Sequence, residues 1–104
     1  MKFISGLVSV SFRELSAIEI IRITKDTGLC AIEWGGDVHV PAGDLETAER
    51  VKTATYESCL SIPEYGSYYR IGRSEAAMGD AVARSAQALG TKVIRLWAFV
   101  YTKN

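Results

Sequence analysis

Cys30-Ala31-Ile32-Glu33-Trp34-Gly35-Gly36-Asp37-Val38-His39-Val40-Pro41-Ala42-Gly43-Asp44 decides the fold. A short apolar run from Cys30 to Trp34 has the length and composition of a buried strand. A polar loop with two adjacent glycines follows it, and Asp44 then stands where a helix N-cap is wanted. Behind Asp44, Leu45, Ala48, Val51 and Thr55 recur at helical spacing. The stretch therefore reads as strand, loop, helix: one βα unit.

The same unit repeats on either side. Ile4 to Val10 is a β-branched run that predicts the first strand. Ser16-Ala17-Ile18-Glu19 carries the S-x-x-E spacing of a capping box. Ile18, Ile20 and Ile21, with Ala17 and Thr24, supply the apolar side of the helix, and Gly28 suits its left-handed end. Leu60 to Ile62 predicts the third strand, extendable towards Tyr65, with the ladder loosened at Pro63, which has no N–H. Gly66 to Gly72 reads as a loop carrying Tyr68, Tyr69 and Arg70. Ser74 is placed to cap a third helix, with Glu75 in its first turn. Ala77, Ala81, Val82, Ala88 and Leu89 form its buried side and Gly90 its end. Lys92 to Val100 predicts the fourth strand.

The order is β-α-β-α-β-α-β over residues 1–104, read as one domain without linker or low-complexity stretch. Alternation of this kind implies crossover connections and a parallel α/β sheet. Strand centres near Leu7, Ile32, Ile62 and Arg95 lie roughly 25 to 33 residues apart. Eight such units would need about 240 residues, close to a complete TIM (β/α)8 barrel. The chain has the content of half of one. A doubly wound four-stranded sheet, with helices on both faces, is the alternative.

Composition excludes several classes. Twelve Lys and Arg balance 12 Asp and Glu, giving a formal charge of zero. A dedicated nucleic-acid binder usually has a basic excess. No apolar run approaches the ~18 residues of a membrane span. Met1-Lys2-Phe3-Ile4-Ser5-Gly6 makes a poor signal peptide. Cys30 and Cys59 read as reduced core thiols, which points to a cytoplasmic setting.

In parallel α/β folds ligands bind at the carboxyl ends of the strands, and the chemically unusual residues gather there. Alternation along a strand puts Glu33 opposite Ile32 and Trp34. It likewise puts Arg95 and Trp97 opposite Ile94, Leu96 and Ala98. The apolar faces should pack on helices. Glu33, Arg95 and Trp97 then face the barrel interior, where the two charges could hold sugar hydroxyls or phosphate and the indole could stack on a sugar ring. Equally, Glu33 and Arg95 could form a structural ion pair. His39, the single histidine, suits acid–base work or a hydrogen bond inside its own loop. Asp37-x-His39 is too thin a spacing for a metal site. Neither a Gly-x-Gly-x-x-Gly fingerprint nor a Walker-type loop is present.

Gly6-Leu7-Val8-Ser9-Val10-Ser11-Phe12-Arg13, Ile32-Glu33-Trp34-Gly35-Gly36-Asp37-Val38-His39-Val40-Pro41, Tyr65-Gly66-Ser67-Tyr68-Tyr69-Arg70 and Ile94-Arg95-Leu96-Trp97-Ala98 resemble the N-terminal half of the sugar phosphate isomerase/epimerase family. These are xylose-isomerase-like TIM barrels. The resemblance implies proton transfer next to a sugar carbonyl, assisted by a divalent metal, often Mn²⁺. It places the metal ligands and catalytic carboxylates on strands five to eight. The expectation is that this chain lacks them, and no metal ligand or catalytic residue is assigned. The positions that carry over are substrate-side: Glu33, His39, Tyr65, Tyr68, Arg95 and Trp97. The related apurinic endonucleases use histidines on strands three and four, where this sequence has none. The expected partner is a small sugar or sugar phosphate, with no nucleic acid or membrane. The competing expectation is a non-catalytic sugar-binding or structural half-barrel. Either way its open edges should pair, with a second copy or with a missing second half.

Overall fold

The computed structural model describes residues 3–98. Its elements are β1 (Gly6–Val8), α1 (Ala17–Asp26), β2 (Ala31–Gly35), α2 (Leu45–Glu57), β3 (Tyr65–Arg70), α3 (Ala76–Leu89) and β4 (Ile94–Trp97), with a 3₁₀ turn over Ser9–Phe12. The four strands form one parallel sheet in the order β1-β2-β3-β4.

All three helices lie on one face. Ile20 and Ile21 of α1, Ala48 and Val51 of α2, and Val82, Ala86 and Leu89 of α3 share one apolar cluster with Ile32, Trp34 and Tyr65 of the strands. A doubly wound sheet would divide them between two clusters, so that alternative falls. Trp34 sits at the centre, fully buried, with its indole N–H donating to Thr55 Oγ1 at 3.1 Å. The Thr55 hydroxyl in turn donates to the Val51 carbonyl at 2.6 Å. A polar tip is thereby buried at little cost, because both its ends are partnered.

Helix starts follow the sequence in two cases of three. Ser16 and Glu19 close a full capping box, and Asp44 accepts from the Thr47 amide at 3.1 Å. The third start differs. Glu75 occupies the N-cap of α3 without a side-chain bond. The Ser74 hydroxyl accepts instead from the Arg70 amide at 2.8 Å, so it closes the β3–α3 turn rather than capping. Gly90 ends α3 in the left-handed region, as its position suggested.

Several other expectations need correction. β1 is only three residues long, because Ser9 and Val10 turn into the 3₁₀ segment. Leu60 to Ile62 is not a regular strand: Ser61 makes one isolated bridge to Ala31. Pro63 then interrupts the ladder, and pairing resumes at Tyr65, inside the stretch read as a loop. Ile18, Leu45 and Ala77 are exposed, lying just off the buried stripes of their helices. Leu96 is exposed although it is on the helix side of β4. Both cysteines are free and exposed, so neither is a core residue. The last residues of the expected fourth strand, 99 and 100, lie outside the described residues. Among the described residues, no helix is long and apolar enough to cross a membrane.

Candidate functional site on the open sheet face

The face of the sheet away from the helices carries an ion pair. Glu33 of β2 and Arg95 of β4 reach across β3, and Arg95 Nη2 donates to Glu33 Oε1 at 2.9 Å. They can meet because the strand between them presents Gly66. A Cβ there would lie 2.8 Å from Arg95 Nη2 and closer still to the Glu33 carboxylate. A glycine inside a strand often marks such a close approach.

Aromatic rings extend the site towards the carboxyl ends of the strands. The Arg95 guanidinium lies over the Trp97 ring, 5.4 Å from its centroid. Tyr68 stacks with the Trp97 ring, with ring centroids 6.3 Å apart and planes 21° from parallel. Trp97 is fixed by its indole N–H, which donates to the Ser67 carbonyl at 3.1 Å. The Tyr68 hydroxyl is held between Arg13 Nη2, which donates to it at 2.7 Å, and Asp37 Oδ2, to which it donates at 3.3 Å. Arg13 and Asp37 complete that triangle as an ion pair of 2.6 Å. The site is thus a buried carboxylate, a half-covered guanidinium and two rings, with a polar triangle bracing one ring.

The two carboxyls on this face are pushed in opposite directions by their surroundings. The Glu33 side chain is only 8 % exposed, against 34 % for Arg95. Burial, and next the neighbouring Glu64 carboxyl, push Glu33 up to about 7, and the attraction of Arg95 does not offset them. Loss of water around a carboxylate outweighs one partly solvated cation. Glu33 and Glu64 also line a cavity of about 300 Å³, with Val8, Ala31 and Pro63 among its walls. Asp37 goes the other way. Burial raises it, but the Val38 amide and Arg13 more than compensate, so its carboxyl stays below the usual range.

Two of the residues singled out from the sequence lie elsewhere. Tyr65 is fully buried on the helix side, its hydroxyl donating to the Val40 carbonyl at 2.7 Å. Burial pushes its phenol up to about 12. His39 is 7 % exposed and packs edge-on against Trp34, with ring centroids 5.9 Å apart. Its Nε2 lies 2.7 Å from the Leu15 carbonyl. A carbonyl only accepts, so Nε2 carries the proton. Tyr65 and His39 therefore both fasten the β2–α2 loop, whereas Glu33, Tyr68, Arg95 and Trp97 come together on the open face. Glu64, Gly66, Arg13 and Asp37 join that site without having been assigned to it. For Gly66 the available signal was a glycine within an aromatic run, Tyr65-Gly66-Ser67-Tyr68.

The divalent metal implied by the resemblance does not find a ligand set here. Among the described residues, no three His, Cys, Asp or Glu side chains come together in a way that would hold one.

Helices on one face, strands in sequential parallel order and charged residues on the other face define half of a TIM-type barrel. A solved structure described as the probable 3-DHS dehydratase AsbF, involved in petrobactin synthesis, from Bacillus anthracis, shares this fold with a TM-score of 0.68 and 22 % sequence identity. The match covers 90 % of this chain but 38 % of that one. No protein-family model and no curated protein matches the chain.

Proposed function

We propose that the chain is a sugar or sugar-phosphate isomerase/epimerase-like half-barrel, which holds the substrate side of a proton transfer next to a sugar carbonyl. The observation that supports this is the Glu33–Arg95 pair beside Trp97 and Tyr68, on the open face near the carboxyl ends of the strands. Glu33 and Arg95 orient hydroxyl or anionic groups by charge-assisted hydrogen bonds. Trp97 and Tyr68 wall the pocket, and the apolar face of a sugar ring fits against the indole. His39 and Tyr65 act indirectly, by closing the β2–α2 loop.

The test is calorimetric titration with D-glucose 6-phosphate and D-gluconate. Arg95→Met is expected to weaken binding of both about 10- to 100-fold, since a hydrogen bond to a charged group contributes about 1.5–3 kcal/mol. No binding even at millimolar sugar, or equal binding by the variant, would contradict the reading.

A second reading has its own support. β1 and β4 each pair with one neighbour only among the described residues. Val8, Val93 and Trp97 are exposed large apolar residues on the open side. Both features favour a half-barrel that associates with a second copy, with or without catalysis. This reading is compatible with the first.

A further inference from the structure

The ion pair on the open face is built so that only one partner can leave it. Arg95 is fixed from one side by Glu33 and rests on Trp97, but its side chain stays 34 % exposed. One of its N–H donors is engaged by Glu33, while its Nε is buried with no partner at all. An unpaired buried donor carries a cost that a better acceptor would remove. Glu33, in contrast, is almost completely enclosed. The groups around it are Val8 from β1, Gly66 from β3, Arg95 from β4 and Glu64 from the segment before β3. Arg95 is the one cation among these and Glu64 the one further carboxyl.

An anion arriving at Arg95 therefore meets a guanidinium already held by Glu33, which itself has the Glu64 carboxyl beside it. The anion and an ionised Glu33 on one guanidinium, with Glu64 next to Glu33, repel one another in a partly buried site. The competition ends if one carboxyl becomes neutral. Glu33 is the one to do so, because it is the more buried and has a second carboxyl beside it to share the proton.

We propose that anion binding at Arg95 is gated by a proton on Glu33: a carboxylate-bearing sugar takes over the guanidinium when Glu33 accepts a proton from solvent and shares it with Glu64. This rests on the sugar-binding reading above and adds the charge of the ligand and its control. Released from Glu33, the guanidinium can turn and present Nε and one Nη together, the fork that a carboxylate accepts in bidentate fashion. A singly charged carboxylate suits the site better than a doubly charged phosphate ester. One guanidinium answers one charge, and the neighbouring cation, Arg13, is already neutralised by Asp37. Trp97 and Tyr68 then cover the C–H face of the ligand's carbon chain.

The sign of the pH dependence follows from linkage. Binding takes up a proton wherever Glu33 is ionised in the free protein and protonated in the complex. Affinity for the carboxylate is therefore highest in mild acid. Above the titration of Glu33 it falls as pH rises, by up to about tenfold per pH unit for one coupled proton.

D-gluconate is the probe, because its carboxylate stays ionised throughout the range, and D-glucose is the uncharged comparison. Titration calorimetry in two buffers of different ionisation enthalpy, from about pH 5.5 to about pH 8.5, counts the protons taken up. The wild-type protein is expected to take up close to one proton per gluconate at the alkaline end and almost none at the acid end. Glu33→Gln keeps the size and hydrogen-bonding reach of the side chain. It is expected to bind gluconate with no proton uptake and with an affinity that no longer changes with pH. Glu64→Gln is expected to keep the uptake but move the fall in affinity to lower pH, since the neighbouring carboxyl that holds Glu33 up is gone. Gluconate binding with no proton uptake in the wild-type protein, or unchanged uptake in Glu33→Gln, overturns the gate while leaving the sugar-binding reading in place. Failure of gluconate to bind at any pH overturns the gate, and it overturns the sugar-binding reading as well where D-glucose and D-glucose 6-phosphate also fail to bind.

Discussion

Trp34→Ala is expected to destabilise the protein by about 3–5 kcal/mol, the usual cost of removing a large aromatic side chain from a packed core. The residue is fully buried and belongs to the cluster that joins all three helices to the sheet. His39 packs on its edge and Thr55 accepts from its indole N–H. Domains of this size are stable by only about 5–15 kcal/mol, so the substitution removes a large part of the total. Trp34→Phe keeps most of the ring and loses the hydrogen bond. Its cost should be nearer 1–2 kcal/mol, because the Thr55 hydroxyl still donates to Val51. Urea denaturation followed by far-ultraviolet circular dichroism measures both. A loss below about 1 kcal/mol for the alanine variant would show that this tryptophan does not centre the core.

Self-association has the second large effect. An open parallel edge invites pairing with another chain, and here both outer strands present one among the described residues. Exposed apolar side chains on the concave side add to the drive. Two copies related by a two-fold axis would set β4 of each beside β1 of the other and close eight parallel strands. A stable contact of this kind should bury more than about 1,000 Å². Light scattering is then expected to report twice the chain mass of 11.4 kDa. Val93→Lys is expected to return it to the monomer, since two lysines would be forced into the closed interior. Val93 is exposed in the single chain, so its replacement should leave the fold intact. A monomer of 11.4 kDa that binds no hydrophobic dye would end this expectation.

The parallel order of the strands was legible because its signals are local. Ser16 with Glu19, Asp44 and Gly90 mark helix ends through bonds made within one turn. The alternation of Ile32 and Trp34 with Glu33 assigned the two faces of β2, since side-chain direction along a strand has a period of two. What failed depended on distant partners. Tyr65 to Arg70 forms a strand because β2 and β4 flank it, although Gly66 and Ser67 argue for a loop. Leu60 to Ile62 has better strand residues but loses the ladder at Pro63. Ser74 was misread because a hydroxyl before a helix can serve either the helix or the turn behind it.

The candidate site was half legible for the same reason. Glu33, Arg95 and Trp97 share a face by alternation, and the structure adds that the two charges meet directly. Tyr68 could not be placed by counting, because the β3–β4 register shifts between Gly66 and Arg70. Arg13 and Asp37 are 24 residues apart and meet only through the fold. His39 looked like a chemical group on a loop. Its ring is instead turned into the protein, against Trp34 and the Leu15 carbonyl.

The two tryptophans make the central claim directly measurable, because they lie on opposite faces of the sheet. The Trp97 indole N–H belongs to the proposed sugar site, and the Trp34 indole N–H is sealed in the core against Thr55. Proton–nitrogen NMR spectra of the labelled protein, recorded during titration with D-gluconate in mild acid, resolve the two signals. The Trp97 indole and the Gly66 and Tyr68 amides are expected to move with added sugar while the Trp34 indole stays still. Movement of Trp34 alone, or no movement of Trp97 at saturating gluconate, would contradict a sugar site on the open face.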